Sequence, residues 1–180
     1  KDGKENVYTD NLKMLCGGAF SLHYILLLAV RSLPTDLFNH FVKKLEIFLF
    51  YYIFTKTPTR ELERYFAQWV GELRDITKLN DPDLQKAALD EFIDKHFVPN
   101  MQAKQTELQA FLGTYSLGTL QYYRTKYFLA KLTQHVEQHF VGIGDPRTLK
   151  NFMGFEVEHI LPDNPESDLI ADFQLKNPDK

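Results

Sequence analysis

The stretch PTDLFNHFVKKLEIFLFYYIFTKTP (residues 34–58) decides the fold. Pro34 stops the preceding segment from continuing as a helix, because its ring blocks the next turn and it has no N–H to donate. Thr35 or Asp36 can then cap a new helix by accepting a backbone N–H. Behind that cap, Leu37, Phe41, Leu45, Phe48 and Tyr52 recur at the spacing of one helical face. Residues 47–54 are apolar all round, which predicts that this helix sits centrally; a buried strand is the competing assignment for that run. Thr57-Pro58 closes the stretch with a hydroxyl cap and a proline in the first position of another helix.

Working toward the N-terminus, the chain is apolar between Leu12 and Leu33, which predicts a largely buried helix over residues 19–32. Residues 1–10 are polar and read as a frayed lead-in. Working toward the C-terminus, Leu62, Tyr65, Phe66, Trp69, Val70, Leu73 and Ile76 form a one-sided stripe. Asn80-Asp81-Pro82 repeats the helix-start punctuation, and Leu84, Ala88, Phe92 and Ile93 carry a helix to about His96. Pro99 is expected to break it, residues 101–112 to form a short helix, and residues 113–118 a turn. Residues 119–140 read as a further long helix with Tyr122, Leu129, Leu132, Val136 and Phe140 along one face. The expected fold is mainly α, a bundle of about six helices over residues 1–140. Residues 141–180 are expected to start a second domain with a short, incomplete β element near the C-terminus.

Composition bounds the function. With 180 residues, 44% of them apolar and 25% charged, the chain has enough material for a packed core, and wholesale disorder is not expected. A net charge of −3 excludes a protein that coats nucleic acid by bulk electrostatics, although it leaves room for a basic face. Six bases against three acids between residues 101 and 150, then seven acids against two lysines from Met153 onward, give a weakly basic helical face followed by an acidic tail. Cys16, the single cysteine, cannot form an internal disulfide or make a zinc site alone, and fits a buried thiol in a reducing cytoplasm. The longest apolar runs, residues 24–30 and 47–54, are shorter than the ~18–20 residues of a membrane span, so no membrane partner is expected.

The chemistry concentrates in GFEVEHILP (residues 154–162). On a strand, which the alternation from Phe152 to Ile160 suggests, Glu156 and Glu158 point to one side and His159 to the other, before Pro162 turns the chain out of the sheet. An acid beside a histidine at a strand end suits a metal-dependent nuclease. The carboxylate holds a hard divalent cation and the imidazole, with an ordinary pKa of ~6.5, takes a proton from water.

This stretch resembles the opening half of the HNH, or ββα-metal, nuclease motif, whose first strand reads acid–His–Ile–x–Pro. It is most similar to the C-terminal HNH-like domain of GmrSD-type modification-dependent restriction endonucleases, in which a helical region leads into an EHILP strand. The resemblance runs from about Gly118 to the end and fits the earlier helices more loosely. It implies His159 as the general base, Glu158 as the metal ligand, Glu156 as an auxiliary acid, and Mg2+ or Mn2+ as the cofactor. The implied partners are DNA, modified or foreign, and an N-terminal domain absent from this chain. The motif also needs an Asn-bearing segment and a helix bearing His or Asn, and no such segment follows Pro162. The chain is therefore expected to be a fragment cut inside the nuclease domain, inactive by itself.

Arg124, Lys126 and Lys131, interleaved with Tyr122, Tyr123 and Tyr127, are candidate DNA contacts, and core packing of the rings explains the pattern equally well. His135 and His139 stand one helical turn apart without the intervening acid of a zinc protease, and read as solvated surface. Two alternatives stay open beside the nuclease: a helical interaction or scaffold module without chemistry, and a helical DNA-binding module using Arg124 and Lys126.

Overall fold

The structure, a computed structural model, describes residues 6–18, 20–116, 118–141, 149–157, 167–176 and 178. It is a multi-helix bundle. The helices are α1 (Val7–Cys16), α2 (His23–Ala29), α3 (Thr35–Phe54), α4 (Thr59–Lys78), α5 (Pro82–Phe92), α6 (Val98–Ala103), α7 (Gln105–Gly113), α8 (Tyr122–Val136), α9 (Leu149–Met153) and α10 (Ser167–Lys176). Single π-helical turns, Ile93–Phe97 and Glu137–Val141, follow α5 and α8. The described residues thus contain ten α-helical segments where about six helices were expected: α1, α9 and α10 lie where no helix was expected, and the segment around residues 98–113 divides into α6 and α7 at Lys104.

The central helix is α3. Leu37, Phe41, Leu45, Phe48 and Tyr52 are all buried, as the spacing predicts, and Val42, Leu49, Ile53 and Phe54 extend burial to the other faces. Phe48 sits inside a ring cluster: Phe97 lies 4.7 Å away, Trp69 5.5 Å and Tyr52 4.6 Å between centroids. α4 supplies Leu62, Phe66, Trp69, Leu73 and Ile76 to the same core. Asp81 caps α5 by accepting the N–H groups of Asp83 and Leu84, with Pro82 opening the helix as the sequence indicates. On α5 the core position falls to Gln85 rather than the exposed Leu84. The Gln85 amide donates at 2.7 Å to the Leu79 carbonyl, closing the end of α4.

Pro99 does not break the helix. The π turn accommodates it: hydrogen bonds closing five residues apart bring Phe92 and Phe97 onto nearly one face, and both are fully buried. The chain then continues directly into α6, with Pro99 in its first turn, where a missing N–H costs little. Glu72 on α4 clasps the π turn by accepting from His96 at 2.7 Å and Lys95 at 3.1 Å. Burial pulls the Glu72 carboxyl up, but these bonds outweigh it and hold the group below its usual range.

Several expectations at helix starts change: the helix expected over residues 19–32 is shortened to His23–Ala29, and α3 begins at Thr35 behind Pro34 with no side-chain cap hydrogen bond. Residues 7–10, read as part of a frayed lead-in, open α1, because the Asn6 side chain accepts the N–H groups of Tyr8 and Thr9. The Asn6 amide also donates at 2.7 Å to Asn39 on α3, fixing the entry of the chain. Thr57 does not cap α4; its hydroxyl lies 2.9 Å from that of Thr55, and Pro58 takes the cap position without a side-chain hydrogen bond. Gly17 ends α1 in the left-handed region at φ 64°, and a Cβ there would stand 2.6 Å from the Tyr123 ring. That close approach lets α8 lie against α1, with the Tyr123 hydroxyl donating to the Cys16 carbonyl at 3.3 Å.

The expected β element is not found among the described residues. Leu149 and Phe152, one helical turn apart, are both buried and make α9 a short helix against α8 and α1. Residues 154–157 are irregular. The alternation read over residues 152–160 was therefore not a burial period at its start, and residues 158–160 lie outside the described part.

Candidate functional site

The candidate residues gather on and around α8. This helix turns an unexpected side inward. Thr125, Tyr127 and Ala130 are buried, while Tyr122, Leu132, Val136 and Phe140, expected on one face together with Leu129, are exposed. Two polar contacts set this rotation. Tyr127, on α8, donates at 2.6 Å to Glu46 of α3, and Thr125 shares a 2.7 Å hydrogen bond with Tyr115. The small Thr125 and Ala130 also allow α8 to approach its neighbours closely.

The three basic candidates of α8 meet three different surroundings. Lys131 lies 2.8 Å from Glu46, whose side chain is 4% exposed, so its ammonium neutralises a buried carboxylate. With Tyr127 it completes the partners of Glu46, and burial together with the neighbouring Glu46 charge drives the Tyr127 hydroxyl pKa far up. Lys126 sits over the Tyr122 ring at 5.6 Å and lines a groove of about 250 Å³ between α8 and the segment after α9. Arg124 lies over the Tyr123 ring at 5.3 Å, and its Nε is shielded from solvent with no acceptor among the described residues.

The groove beside Lys126 is where the acidic motif begins. Phe152, Phe155 and Val157 line it from one side and Leu129, Ala130 and Thr133 of α8 from the other. Glu156 is exposed at its edge. Glu158 and His159 lie outside the described residues, so Glu156 is the one described member of the expected metal and catalytic set. As a single exposed carboxylate it offers hard oxygen donors suited to Mg2+ or Mn2+, which bind through one or two carboxylates and retain several waters.

His135 and His139 are exposed, with ring centroids 4.1 Å apart, and the Nδ1 of His139 lies 2.9 Å from the His135 carbonyl. Among the described residues no group of three or more His, Cys, Asp or Glu is placed to hold a metal ion. Cys16 is buried between α1 and its neighbours; burial, offset in part by the Arg124 charge, pushes its thiol up to about 12, which keeps it protonated and unreactive. No helix of the described residues is long and apolar enough to cross a membrane.

The Glu46–Tyr127–Lys131 cluster escaped the sequence reading. Its one signal is Glu46 itself, an acid placed between Leu45 and Ile47 in the most apolar helix of the chain. Compared with protein-family models, with curated proteins and with solved structures, the chain matches none.

Proposed function

We propose that this chain is the helical body and the opening catalytic segment of an HNH-type, metal-dependent DNA endonuclease of the modification-dependent restriction class. The observation that carries the reading is the GFEVEHILP stretch following a helical bundle. Its support is the placement of Glu156, exposed at the edge of a groove whose other wall bears Lys126. In this reading Glu158 holds the cation with Glu156 as an auxiliary acid, His159 takes the proton of the attacking water, and Lys126 draws the phosphate backbone toward the groove. Bound Mg2+ or Mn2+ supplies charge neutralisation at the scissile phosphate.

The test uses the natural full-length gene product with modified and unmodified duplex DNA, with Mg2+ or Mn2+ and then with chelator. The expected result is metal-dependent cutting that falls by about 10²–10⁴-fold in His159→Ala with an unchanged far-ultraviolet spectrum. Equal cutting by His159→Ala and the natural protein, or no metal-dependent cutting on either DNA, overturns the reading.

The exposed Leu132, Val136 and Phe140, spaced four residues apart along α8 and the turn after it, favour a second reading, a helical interaction module without chemistry. That reading expects no cleavage and loss of partner binding in Phe140→Ser.

A further inference from the structure

The C-terminal end of α3 and the N-terminal ends of α4 and α8 enclose a cleft of about 300 Å³. Its polar side carries two cations, Lys56 and Arg124, with the hydroxyls of Thr57 and Thr59 and the amide of Gln121. None of the described residues lining it is acidic. Among the described residues, neither Lys56 nor Arg124 takes part in an ion pair. The Nε of Arg124 is shielded from solvent and has no acceptor among the described residues.

The backbone adds to the same field. Thr59 is the first residue of the 20-residue α4, and Gln121 immediately precedes the 15-residue α8; both line the cleft. Neither helix has a side-chain cap hydrogen bond, which leaves first-turn N–H groups beside the cleft without a side-chain acceptor. Lys56 adopts φ 52°, a left-handed conformation that glycine would take more readily, yet the position carries a cation. Phe20, Ile53 and Leu62 are among its apolar lining residues.

We propose that this cleft binds a phosphomonoester of about mononucleotide size. Arg124 and Lys56 hold the phosphate together with the N–H groups at the start of α4, and the organic body rests on Phe20, Ile53 and Leu62. Two cations and free backbone donors match the charge and acceptor count of a phosphate. The apolar lining residues and a volume near the lower end of small-ligand sites match a body no larger than a nucleoside. The inference does not depend on the nuclease reading, which rests on residues 154–162.

The test is calorimetric titration of the full chain with inorganic phosphate, a nucleoside 5′-monophosphate, the same nucleoside without phosphate, and a 5′-phosphorylated oligonucleotide. The monophosphate is expected to bind saturably and at least tenfold more tightly than either inorganic phosphate or the nucleoside. Arg124→Gln and Lys56→Gly should each weaken it about tenfold or more, as expected for loss of a charged hydrogen-bond partner. Lys56→Gly relieves the left-handed backbone, so its loss of binding cannot be ascribed to unfolding. Lys86→Gln, an exposed charge on α5, should leave binding unchanged. No saturable monophosphate binding, equal binding by both cleft variants, or inorganic phosphate binding as tightly as the monophosphate overturns the proposal. Tighter binding of the oligonucleotide than of the monophosphate also overturns it, by moving the phosphate's source to nucleic acid.

Discussion

The rings of α3, α4 and α5 and the rings after α8 begin as the same residue types and end in opposite places. Phe41, Phe48, Phe66, Phe92 and Phe97 are fully buried and touch one another, whereas Phe140 is 79% exposed and Phe155 59%. For Phe140 the difference does not lie in local spacing, since it shares a helical period with Leu132 and Val136 as the buried rings do with their neighbours. The first set lies on helices that pack around α3, so each ring meets others. The second lies on the side of α8 that Glu46 and Tyr127 turn outward, and on the irregular chain after α9. Helical spacing thus defines a face, while a polar anchor on a neighbouring helix determines which face is buried.

The largest expected effect breaks this comparison directly. Phe48→Ala should lower unfolding free energy by about 3–5 kcal/mol in urea titration, because the surrounding rings cannot close the space. Phe140→Ala should change it by no more than about 0.5 kcal/mol. Equal effects at the two positions would mean that α8 buries its outer side in solution.

The anchor itself comes next. Glu46→Ala strands the Tyr127 hydroxyl and the Lys131 ammonium and should cost about 2–4 kcal/mol. This is below the cost for a wholly buried pair, because Lys131 keeps 33% of its side chain in solvent. Glu46→Gln preserves an acceptor for Tyr127 and should cost about 1 kcal/mol. If the anchor sets the rotation of α8, Glu46→Ala should also raise hydrogen exchange along α8 while leaving α4 and α5 protected.

The smallest effect is a dependence on pH. His23 is buried against Phe20 and Tyr24 with neither ring nitrogen hydrogen-bonded by a side chain, and burial pushes its pKa below the ordinary 6.5. The folded state therefore keeps the imidazole neutral, while the unfolded chain takes up a proton as pH falls through 6.5, so stability declines below that pH. His23→Leu should remove this slope from thermal unfolding measured between pH 7 and 5.5. The Glu72 clasp acts in a separate, lower window. Its carboxyl is held below its ordinary 4.5, so its stabilisation is complete above that pH and is lost as pH falls through the folded value.

Much of the bundle was legible. The apolar period of α3 and the stripe of α4 each name their own buried residues, and Asp81-Pro82 names a helix start, because these signals are local and unopposed. The start of α1 was hidden, since polar letters in Asn6 and Asp10 conceal a cap and a helix whose buried residues begin at Asn11. Continuation past Pro99 was hidden as well, because a π turn answers to the packing of Phe92 and Phe97 and not to the proline. Of the candidate site, Glu156, Lys126, Arg124 and Lys131 were named from sequence. Their separation into a groove, a cleft and a buried ion pair was not readable, because each depends on what the facing helix presents.

The sequence by itself determined that the chain is helical, where its central helix lies and that Asp81-Pro82 starts α5. Those properties follow from hydrogen bonds and side-chain periods within a few residues. Only the tertiary structure decided which side of α8 meets solvent, that Lys131 is bound to Glu46, and that Lys56 and Arg124, 68 positions apart, face one cleft. Such pairings arise because distant helices share a boundary, and the charge or ring that one helix offers has meaning only against the surface it meets.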